Sequence, residues 1–434
     1  MQNREKLTLG LALGVGLLVS AEAHAAAFYL QEQSARASGR AYAGEAAAPE
    51  DASTIFYNPA GMTELKRSEA QIGAYVMAPN ADISNRGSTA SVGGGPASPF
   101  IGKDDEGFDP QGFGNLYLAT PAAPGLWLGL GVTVPFGLAA HYDSDWFGRY
   151  DVTRISVRTI DLAPSIAYQI HPRISIGGGF DVQYAEGKLV NALPNPFDPS
   201  GSPTPATDGR LALEGSDWSV GFNVGVLVKP IDNLKVGLTY RSAITQKLEG
   251  DATTEFLGTT TVQGFSTDLK LPDITSLGVA YDLTPTITLL GQVNYYGWSR
   301  FNELRFRFAD GTEAALQEDF RDSWGASIGA QAKVAPGWTI RGGIAYDQTP
   351  TRDSLRSAAI PDVDRVWIAL GASYDFSETV TLDVSFEHMF ENSGPINRTN
   401  VFPLPGGLPT TTVQTAGETE TSSDVLGITL RMKF

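Results

Sequence analysis

Side chains able to do chemistry are few in this chain of 434 residues. It has no cysteine, and the histidines that follow the first 25 residues are His141, His171 and His388. These histidines lie far apart and show no metal-ligand spacing. A hydrolase would need a histidine beside a nucleophile, and no such pair can be argued from the spacing. We therefore predict no enzymatic activity, no metal site and no cofactor.

The overall charge excludes one class of partner. The formal net charge is −17, so a nucleic acid backbone would be repelled over most of the surface. We predict that the protein does not bind nucleic acid. Its function then has to be sought in the elements that position its apolar and aromatic residues.

The first 25 residues have the features of a secretory signal peptide. Arg4 and Lys6 precede an apolar run from Leu7 to Val19, which is short for a membrane-spanning helix. The tripeptide AHA at 23–25 offers a small-x-small cleavage pattern. We predict cleavage after Ala25, with a membrane anchor as the alternative. No later run approaches the roughly twenty apolar residues of a spanning helix, so a membrane location would rest on strands.

From Ser68 onward, apolar residues alternate with polar or small ones, which is the period of a β-strand. In the last ten residues, VLGITLRMKF, Leu426, Ile428 and Leu430 fall on one face. The pattern predicts fourteen strands, at about 68–79, 111–121, 125–135, 152–170, 173–188, 210–229, 234–248, 267–282, 285–300, 316–334, 337–347, 363–376, 379–391 and 421–434. The long connections expected between them are 80–110, 136–151, 189–209, 249–266, 348–362 and 392–420.

Short turns alternate with these long loops, which is the layout of an outer-membrane barrel. Hydrocarbon offers backbone groups no partner except another strand, so a spanning sheet has to close on itself. Aromatic residues near the strand ends suit the two membrane interfaces: Trp127, Tyr168, Tyr281, Trp298, Trp338 and Tyr374. We predict an all-β fold, a 14-stranded antiparallel transmembrane β-barrel over residues 68–434. A secreted β-sandwich is the alternative.

Residues 26–67 precede the barrel and enter from its short-turn, periplasmic side. Fourteen strands enclose more space than an eight-stranded barrel, whose wall side chains can fill it. The segment mixes many alanines with charged residues, including Arg40 and Glu45, and has a turn signal at Asn58-Pro59. We predict that it is an N-terminal hatch, a plug in the lumen. A disordered periplasmic tail is the alternative.

Three N-terminal pieces and one wall motif resemble a known family. AAF at 26–28, GRAYAGE at 39–45, NPA at 58–60 and IPDVDRVW at 360–367 are similar to the FadL family of Gram-negative outer membranes. Its members are long-chain fatty acid transporters and aromatic-hydrocarbon channels, and the resemblance spans nearly all of the chain after the leader. It implies a multi-pass barrel in the cell outer membrane that carries hydrophobic compounds inward. The implied steps are capture on an extracellular apolar patch, binding in a lumen pocket, movement of the N-terminus and lateral release.

The resemblance also implies ligand contacts. Phe28 and Leu30 at the tip of the hatch would touch the ligand. Arg321, in EDFRDSW, would face a ligand carboxylate, unless it pairs with Asp319 or Asp322. The capture patch would consist of aromatic and apolar residues on an irregular stretch that could instead pack on itself: Phe136, Leu138, Trp146 and Phe147.

Other residues would be structural or informative about the ligand. Those that would hold the hatch or the wall are Arg40, Glu45, Asn58, Pro59, Asp364 and Arg365, the last two in ion pairs. Glu186 stands where fatty acid transporters carry a second basic residue, which keeps neutral aromatic or aliphatic hydrocarbons as alternative ligands. In LWLGLGVTVPFG at 126–137, glycines and Pro135 weaken the strand ladder and predict the place of a lateral opening.

We expect the partners to be hydrophobic small molecules, outer-membrane lipid and lipopolysaccharide, and we expect a monomer. Two different classes of function remain as rivals, a general porin for polar solutes and an adhesin or structural barrel. An open porin would not depend on residues 26–67.

Overall fold

The computed structural model describes residues 27–100, 102–403 and 409–434. The predicted leader and its cleavage site lie outside the described residues. Among the described residues, none of the helices has the length and apolarity that crossing a membrane requires.

The described chain is almost entirely antiparallel sheet. Its strands are β1 (Glu69–Asn85), β2 (Thr89–Val92), β3 (Ser98–Pro99), β4 (Gln111–Ala123), β5 (Leu126–Thr133), β6 (Gly137–His141), β7 (Arg154–His171), β8 (Ile174–Leu193), β9 (Gly209–Ile231), β10 (Leu234–Arg241), β11 (Ile244–Phe256), β12 (Thr259–Leu271), β13 (Ile274–Asp282), β14 (Ile287–Tyr296), β15 (Glu303–Phe308), β16 (Glu313–Gln317), β17 (Ser323–Ala335), β18 (Trp338–Asp347), β19 (Arg365–Asp375), β20 (Val380–Glu391), β21 (Gly394–Phe402) and β22 (Thr411–Lys433). Two short α-helices, α1 (Ala35–Ser38) and α2 (Thr54–Tyr57), and a 3₁₀ turn (Pro59–Glu64) precede them, and a second 3₁₀ turn (Trp298–Arg300) follows β14.

These segments form a closed barrel of fourteen wall strands, as predicted. Eight wall strands are continuous, and six are split into two segments: β5/β6, β10/β11, β12/β13, β14/β15, β16/β17 and β20/β21. The first strand closes the barrel by pairing with the last, from Glu69 opposite Lys433 to Asn85 opposite Gly417. Of the strands in the described residues, β2 and β3 alone lie outside the wall, in the first long loop, where β2 also pairs with β22.

The period-two pattern sorts lipid-facing from lumen-facing residues. In β9, Val220, Phe222 and Val224 are exposed, whereas Gly221 and Asn223 between them are buried. Because the outward positions of a membrane barrel face lipid, this alternation is the one that a spanning strand requires.

Two predictions about the wall were wrong. The segments 249–266 and 392–420 were expected as loops, but they contain the β11–β12 hairpin, β21 and the start of β22. Their polar residues hide the strand pattern because this part of the wall needs no apolar face. Trp127 and Trp298 were expected at the membrane interfaces, but both are buried, with 6 % and 0 % of their surface exposed.

The N-terminal segment lies inside the barrel. From Ala27 to Met62 every residue is buried except Glu50, which is half-buried. Hydrogen bonds join the segment to distant parts of the wall: Ala46 N to Gln292 Oε1 (2.9 Å), Thr63 Oγ1 to Ser175 Oγ (2.6 Å) and Tyr42 OH to Glu387 Oε2 (3.1 Å). Contacts on β8, β14 and β20 require a position in the lumen, and we call residues 27–68 the hatch.

A buried ion network holds the hatch together. Arg36 Nε lies 2.5 Å from Asp51 Oδ2, and Arg36 Nη1 lies 2.8 Å from Glu50 Oε2. Arg40 Nε donates to Glu45 Oε1 at 2.8 Å. Burial raises the pKa of Asp51, but the charges of Arg36 and Arg431, together with hydrogen bonds from Arg36 and Ser53, outweigh burial and hold that pKa below its ordinary value.

Candidate functional site

The third wall strand is broken beside the lumen. It stops at Thr133 and resumes at Gly137, and Pro135 lies in the gap. The ladder between β4 and β5 ends at the pair Leu116–Val132, whereas β6 pairs with β7. Among the described residues, no ladder joins β4 to β6, so the wall lacks its usual backbone pairing there. The break lies within the stretch where a lateral opening was predicted.

The N-terminus occupies this break. Leu30 N donates to Pro135 O at 2.8 Å, and Gly137 N donates to Phe28 O at 2.9 Å. Tyr29 and Phe136 thereby face each other as an isolated antiparallel bridge. Backbone groups away from water need partners, and the hatch supplies them where the neighbouring wall strand does not.

An aromatic cluster surrounds the tip of the hatch. The Phe28 ring centroid lies 4.8 Å from that of Trp298, 5.9 Å from that of Phe301 and 6.1 Å from that of Phe136. Phe320 extends the cluster, with its ring centroid 4.9 Å from that of Phe301. All five side chains are buried. We call Phe28, Phe136, Trp298, Phe301 and Phe320 the aromatic cluster.

Polar groups border the tip on its other side. Glu32 is fully buried, and neither of its carboxyl oxygens has a hydrogen-bond partner in the described part of the chain. Burial raises the pKa of Glu32 to about 8, with Arg365 opposing this shift and Asp347 adding to it. The adjacent Gln31 donates from Nε2 to Asp347 Oδ2 at 3.2 Å.

The free space beside the tip is small in this conformation. A cavity of about 30 Å³ is lined by Tyr29, Gln31, Phe56, Arg241 and Tyr296, among others. Pockets that hold drug-sized ligands measure roughly 300–1,000 Å³. A hydrophobic solute could therefore bind here only if side chains of the hatch or the aromatic cluster move.

A much larger cavity lies at the opposite, periplasmic end. It measures about 910 Å³ and is lined mainly by polar and charged residues, including Glu64, Lys66, Lys235, Lys333 and Lys433. Its lining suits water, and transfer of apolar surface into it would be unfavourable. We call it the periplasmic vestibule.

The four residues expected to form the capture patch are buried and lie in two separate places. Phe136 and Leu138 lie at the strand break, 2 % and 1 % exposed. The Trp146 ring stacks on Tyr142 at 3.9 Å and lies 5.1 Å from the Phe147 ring, inside their own loop. An exposed patch was expected, but these side chains shield their own apolar surface from water. Neighbouring segments cover them too, because Phe147 N donates to Lys103 O at 2.9 Å and the Phe147 side chain lies against Gly417.

The expected basic residue lies close to the aromatic cluster. Arg321 directly follows Phe320, is half-buried and donates from Nε to Thr349 O at 3.2 Å. Among the described residues, it forms no ion pair with Asp319 or Asp322. Asp322 instead accepts from Tyr295 OH at 2.8 Å.

Most of the residues expected to be structural bond the hatch or the wall. Asn58 donates from Nδ2 to Ala46 O at 2.6 Å and Val226 O at 3.1 Å, and Pro59 starts the first 3₁₀ turn. Arg40 also reaches the wall, donating from Nη1 to Gln331 Oε1 at 3.1 Å. Arg365 forms an ion pair with Asp362. Asp364 differs from expectation, because it accepts from Tyr346 OH and Thr349 N and has no ion pair among the described residues.

Three of the five cluster residues, Trp298, Phe301 and Phe320, were not predicted as site residues from the sequence, and neither was Glu32. A signal for Trp298 existed, because even-numbered residues of β14 face inward, and Trp298 continues that parity. Phe301 and Phe320 lie outside the strands, where alternation predicts nothing. Glu32 showed no signal because its burial follows from the hatch packing.

Comparison with known proteins identifies the family. The family described as outer membrane protein transport protein (OMPP1/FadL/TodX) matches residues 16–434. The long-chain fatty acid transport protein of Escherichia coli O6:H1 is 29 % identical over 415 residues, 87 % of this chain and 90 % of the relative. Outer membrane protein P1 of Haemophilus influenzae is 30 % identical over 421 residues, 89 % of this chain and 90 % of the relative.

Solved structures share the fold. A Pseudomonas aeruginosa FadL homologue matches with a TM-score of 0.82 at 23 % identity, over 94 % of this chain and 99 % of that one. The Ralstonia pickettii toluene transporter TbuX matches with a TM-score of 0.68 at 15 % identity, over 93 % and 99 %. The chain is therefore an outer-membrane β-barrel that belongs to the OMPP1/FadL/TodX family of transport proteins.

Proposed function

We propose that this protein is an outer-membrane channel for the uptake of hydrophobic compounds, with long-chain fatty acids as its cargo. The observation that carries the proposal is the docking of Phe28 to Leu30 into the broken third strand. A plug that completes the wall at its weakest point can open a lateral route simply by moving. The curated relatives that match over most of this chain include long-chain fatty acid transport proteins.

The binding step uses the aromatic cluster. An acyl chain entering from the extracellular side replaces the Phe28 ring against Trp298 and Phe301, so ligand binding and undocking of the N-terminus are one event. Leu30 moves with Phe28 because their backbones bond the same strand break. Arg321, next to Phe320, supplies a cation for the carboxylate, and a charge pair is stronger in such a site than in water.

Capture precedes binding. The loop that carries Trp146 and Phe147 offers apolar surface if it opens toward the outside, and Phe136 and Leu138 continue that surface to the strand break. The buried packing of these four residues in the present conformation describes the resting state of this path.

Release is lateral, into the membrane. A solute leaving through the periplasmic vestibule would have to cross a charged, water-suited space, whereas the break between β4 and β6 leads to lipid. The hatch moves as a unit and is held by Arg40, Glu45, Asn58 and Pro59, while Arg365 and Asp364 brace the adjacent wall. We also propose that leader cleavage follows Ala25 and that the barrel works as a monomer in lipid and lipopolysaccharide.

A general porin for polar solutes is disfavoured by the filled lumen. Neutral hydrocarbons are the second candidate cargo, because the aromatic cluster itself is apolar and buried. Glu186 was expected to report on the ligand, but it lies on the outward face of β8 in an ion pair with Arg158 (2.9 Å), so its charge does not decide between the two kinds of cargo.

The test compares uptake of radiolabelled oleate and of a small alkylbenzene in cells with and without the gene. Mass spectrometry of lipids bound to the purified protein runs in parallel. We expect gene-dependent oleate uptake and a bound fatty acid. Gene-dependent uptake of the alkylbenzene alone would support the second candidate, and uptake of neither compound would refute the proposal.

A further inference from the structure

The outward face of the wall changes character at two aromatic residues. Trp218 on β9 and Tyr184 on β8 pair across the strands with ring centroids 5.2 Å apart, and Trp218 is 65 % exposed. On the periplasmic side of this pair, outward residues such as Val220 and Phe222 are apolar and exposed. On the extracellular side, charged residues of both signs appear at the same parity, Glu186 and Lys188 on β8 and Glu214 and Arg210 on β9, next to Ser216. Trp and Tyr favour membrane interfaces, so this pair marks the outer edge of the hydrocarbon.

Beyond that edge, three cations share one outward groove. Arg154, Lys188 and Arg210 have the strand parity of Tyr184 and Trp218, and the register places Lys188 opposite Ser156 and Arg154 opposite Val190. The groove measures about 480 Å³ and is lined by these three residues and His141, with Asp143 and Asp208 as its acidic members. We call it the basic groove.

The charges of the basic groove are largely available to a ligand. Asp208 is already bound by Arg149 at 2.8 Å and by Tyr150. Arg154 is exposed and has no carboxylate within 4.0 Å among the described residues. Arg210 lies 3.7 Å from Glu255, and about half of each of these two side chains is exposed. Lys188 pairs with Glu214. Exposed pairs of this kind are weak and can be exchanged for another anion. The lining has a formal charge of +1, from three cations and the carboxylates of Asp143 and Asp208, whereas the whole chain has a net charge of −17.

The distance of the basic groove from the hydrocarbon edge indicates which anionic headgroup can reach it. Lys188 lies four residues beyond Tyr184, and Arg210 lies eight residues before Trp218. With a rise of about 3.3 Å per residue and a tilt of about 40°, the groove lies roughly 10–20 Å outside the hydrocarbon edge. Phospholipid headgroups extend only about 5–8 Å beyond the hydrocarbon. A phosphorylated oligosaccharide headgroup reaches this height.

We propose that the basic groove binds phosphate groups on the sugar headgroup of an outer-leaflet glycolipid of the lipopolysaccharide type. Arg154 and Arg210 contact phosphate from the two sides of the groove, and Lys188 lies between them. Guanidinium groups suit this role because their N–H groups match phosphate oxygens in pairs. The proposal rests on the outer-membrane location of the chain and is independent of its cargo.

The experiment measures binding of purified lipopolysaccharide with a phosphorylated inner core to the full protein in detergent. The variant is Arg154→Glu/Arg210→Glu, and the matched control is Lys247→Glu, an exposed outward cation on β11 outside the groove. Gel mobility without heating verifies that each barrel is folded. We expect the double variant to bind at least about tenfold more weakly, which corresponds to about 1.4 kcal/mol. We expect the control to bind within about twofold of the unaltered protein.

Three results with the variants and the glycolipid would overturn the proposal. They are unaltered binding by the double variant, an equal loss in the control, and equally tight binding of the same glycolipid after enzymatic removal of its phosphates. Phosphatidylglycerol vesicles serve as the phospholipid probe, and their competing with the glycolipid at equal phosphate concentration would also contradict the assignment. Oleate uptake by the double variant tests the proposed cargo separately.

Discussion

Replacing Phe28 with alanine should undock the tip of the hatch without unfolding the barrel. Phe28 is 1 % exposed, and its ring contacts the rings of Trp298, Phe301 and Phe136. Truncating a buried phenylalanine costs about 3–5 kcal/mol. Because these contacts join the tip to the wall, nearly all of that loss should fall on docking. At about 1.4 kcal/mol per tenfold change, the undocked population should rise by roughly 10²–10³-fold or more.

Hydrogen exchange measures this equilibrium directly. The amides of Leu30 and Gly137 donate across the strand break, so both exchange only when the tip leaves. Their exchange rates, in the regime where opening is fast and reversible, should rise by the same factor. The matched control is Phe265→Ala, since Phe265 is buried in a separate cluster in the β12–β15 region. Unchanged rates in Phe28→Ala, or an equal rise in the control, would refute the assignment of Phe28 as the anchor.

Three further predictions concern the hatch. A side chain at Gly237 would place its Cβ 1.7 Å from the carbonyl oxygen of Ala46 in the hatch. Gly237→Ala should therefore displace the hatch and raise the ion conductance of the barrel in planar bilayers. Gly264→Ala is the control and should leave the conductance unchanged, because the nearest atom to its Cβ would be 3.9 Å away. Arg40→Met leaves Glu45 short of a buried partner, and we expect it to weaken hatch docking by about 3–5 kcal/mol, seen as faster proteolysis within residues 27–68 of the folded barrel. The pKa of Glu32 is about 8 when the hatch is docked and about 4.5 when the carboxyl is in water. Docking should therefore weaken as the pH rises from about 4.5 to 8, because ionised Glu32 favours the undocked state. Glu32→Gln should remove this pH dependence from the hydrogen-exchange rates of Leu30 and Gly137, once these rates are corrected for intrinsic pH effects.

The barrel could be predicted from the sequence because its physics is local and periodic. Each spanning strand presents every second residue to lipid, and these residues have to be apolar, as Leu426 and Ile428 are. The strand extensions in β11, β12 and β21 could not be predicted in this way. They lie outside the hydrocarbon, where Thr, Ser and Gln serve on both faces and alternation of hydropathy disappears.

The site was only partly predictable, because it is built from interruptions of the pattern. Pro135 and its neighbouring glycines indicated the strand break, and the motif resemblance indicated Phe28 and Leu30. The partners of Phe28 come from two other breaks, at Trp298–Phe301 and at Phe320, and no local rule links three breaks distant in sequence. The loop residues Trp146 and Phe147 looked like a capture surface because sequence cannot show that Tyr142 covers the indole.

A reversible cross-link tests whether cargo passes only when the N-terminus leaves the broken third strand. Tyr29 and Phe136 face each other as a non-hydrogen-bonded antiparallel pair, whose Cα atoms are about 4.5 Å apart, within the range of a disulfide. The chain has no cysteine, so Tyr29→Cys/Phe136→Cys introduces a single possible bond. The control pair, Ala74→Cys/Ile428→Cys, joins β1 to β22 where the wall is already closed. We expect oxidation of the first pair to stop oleate uptake, reduction to restore it, and the control pair to transport in both states. Undiminished uptake with the Tyr29–Phe136 positions fully cross-linked would contradict the account.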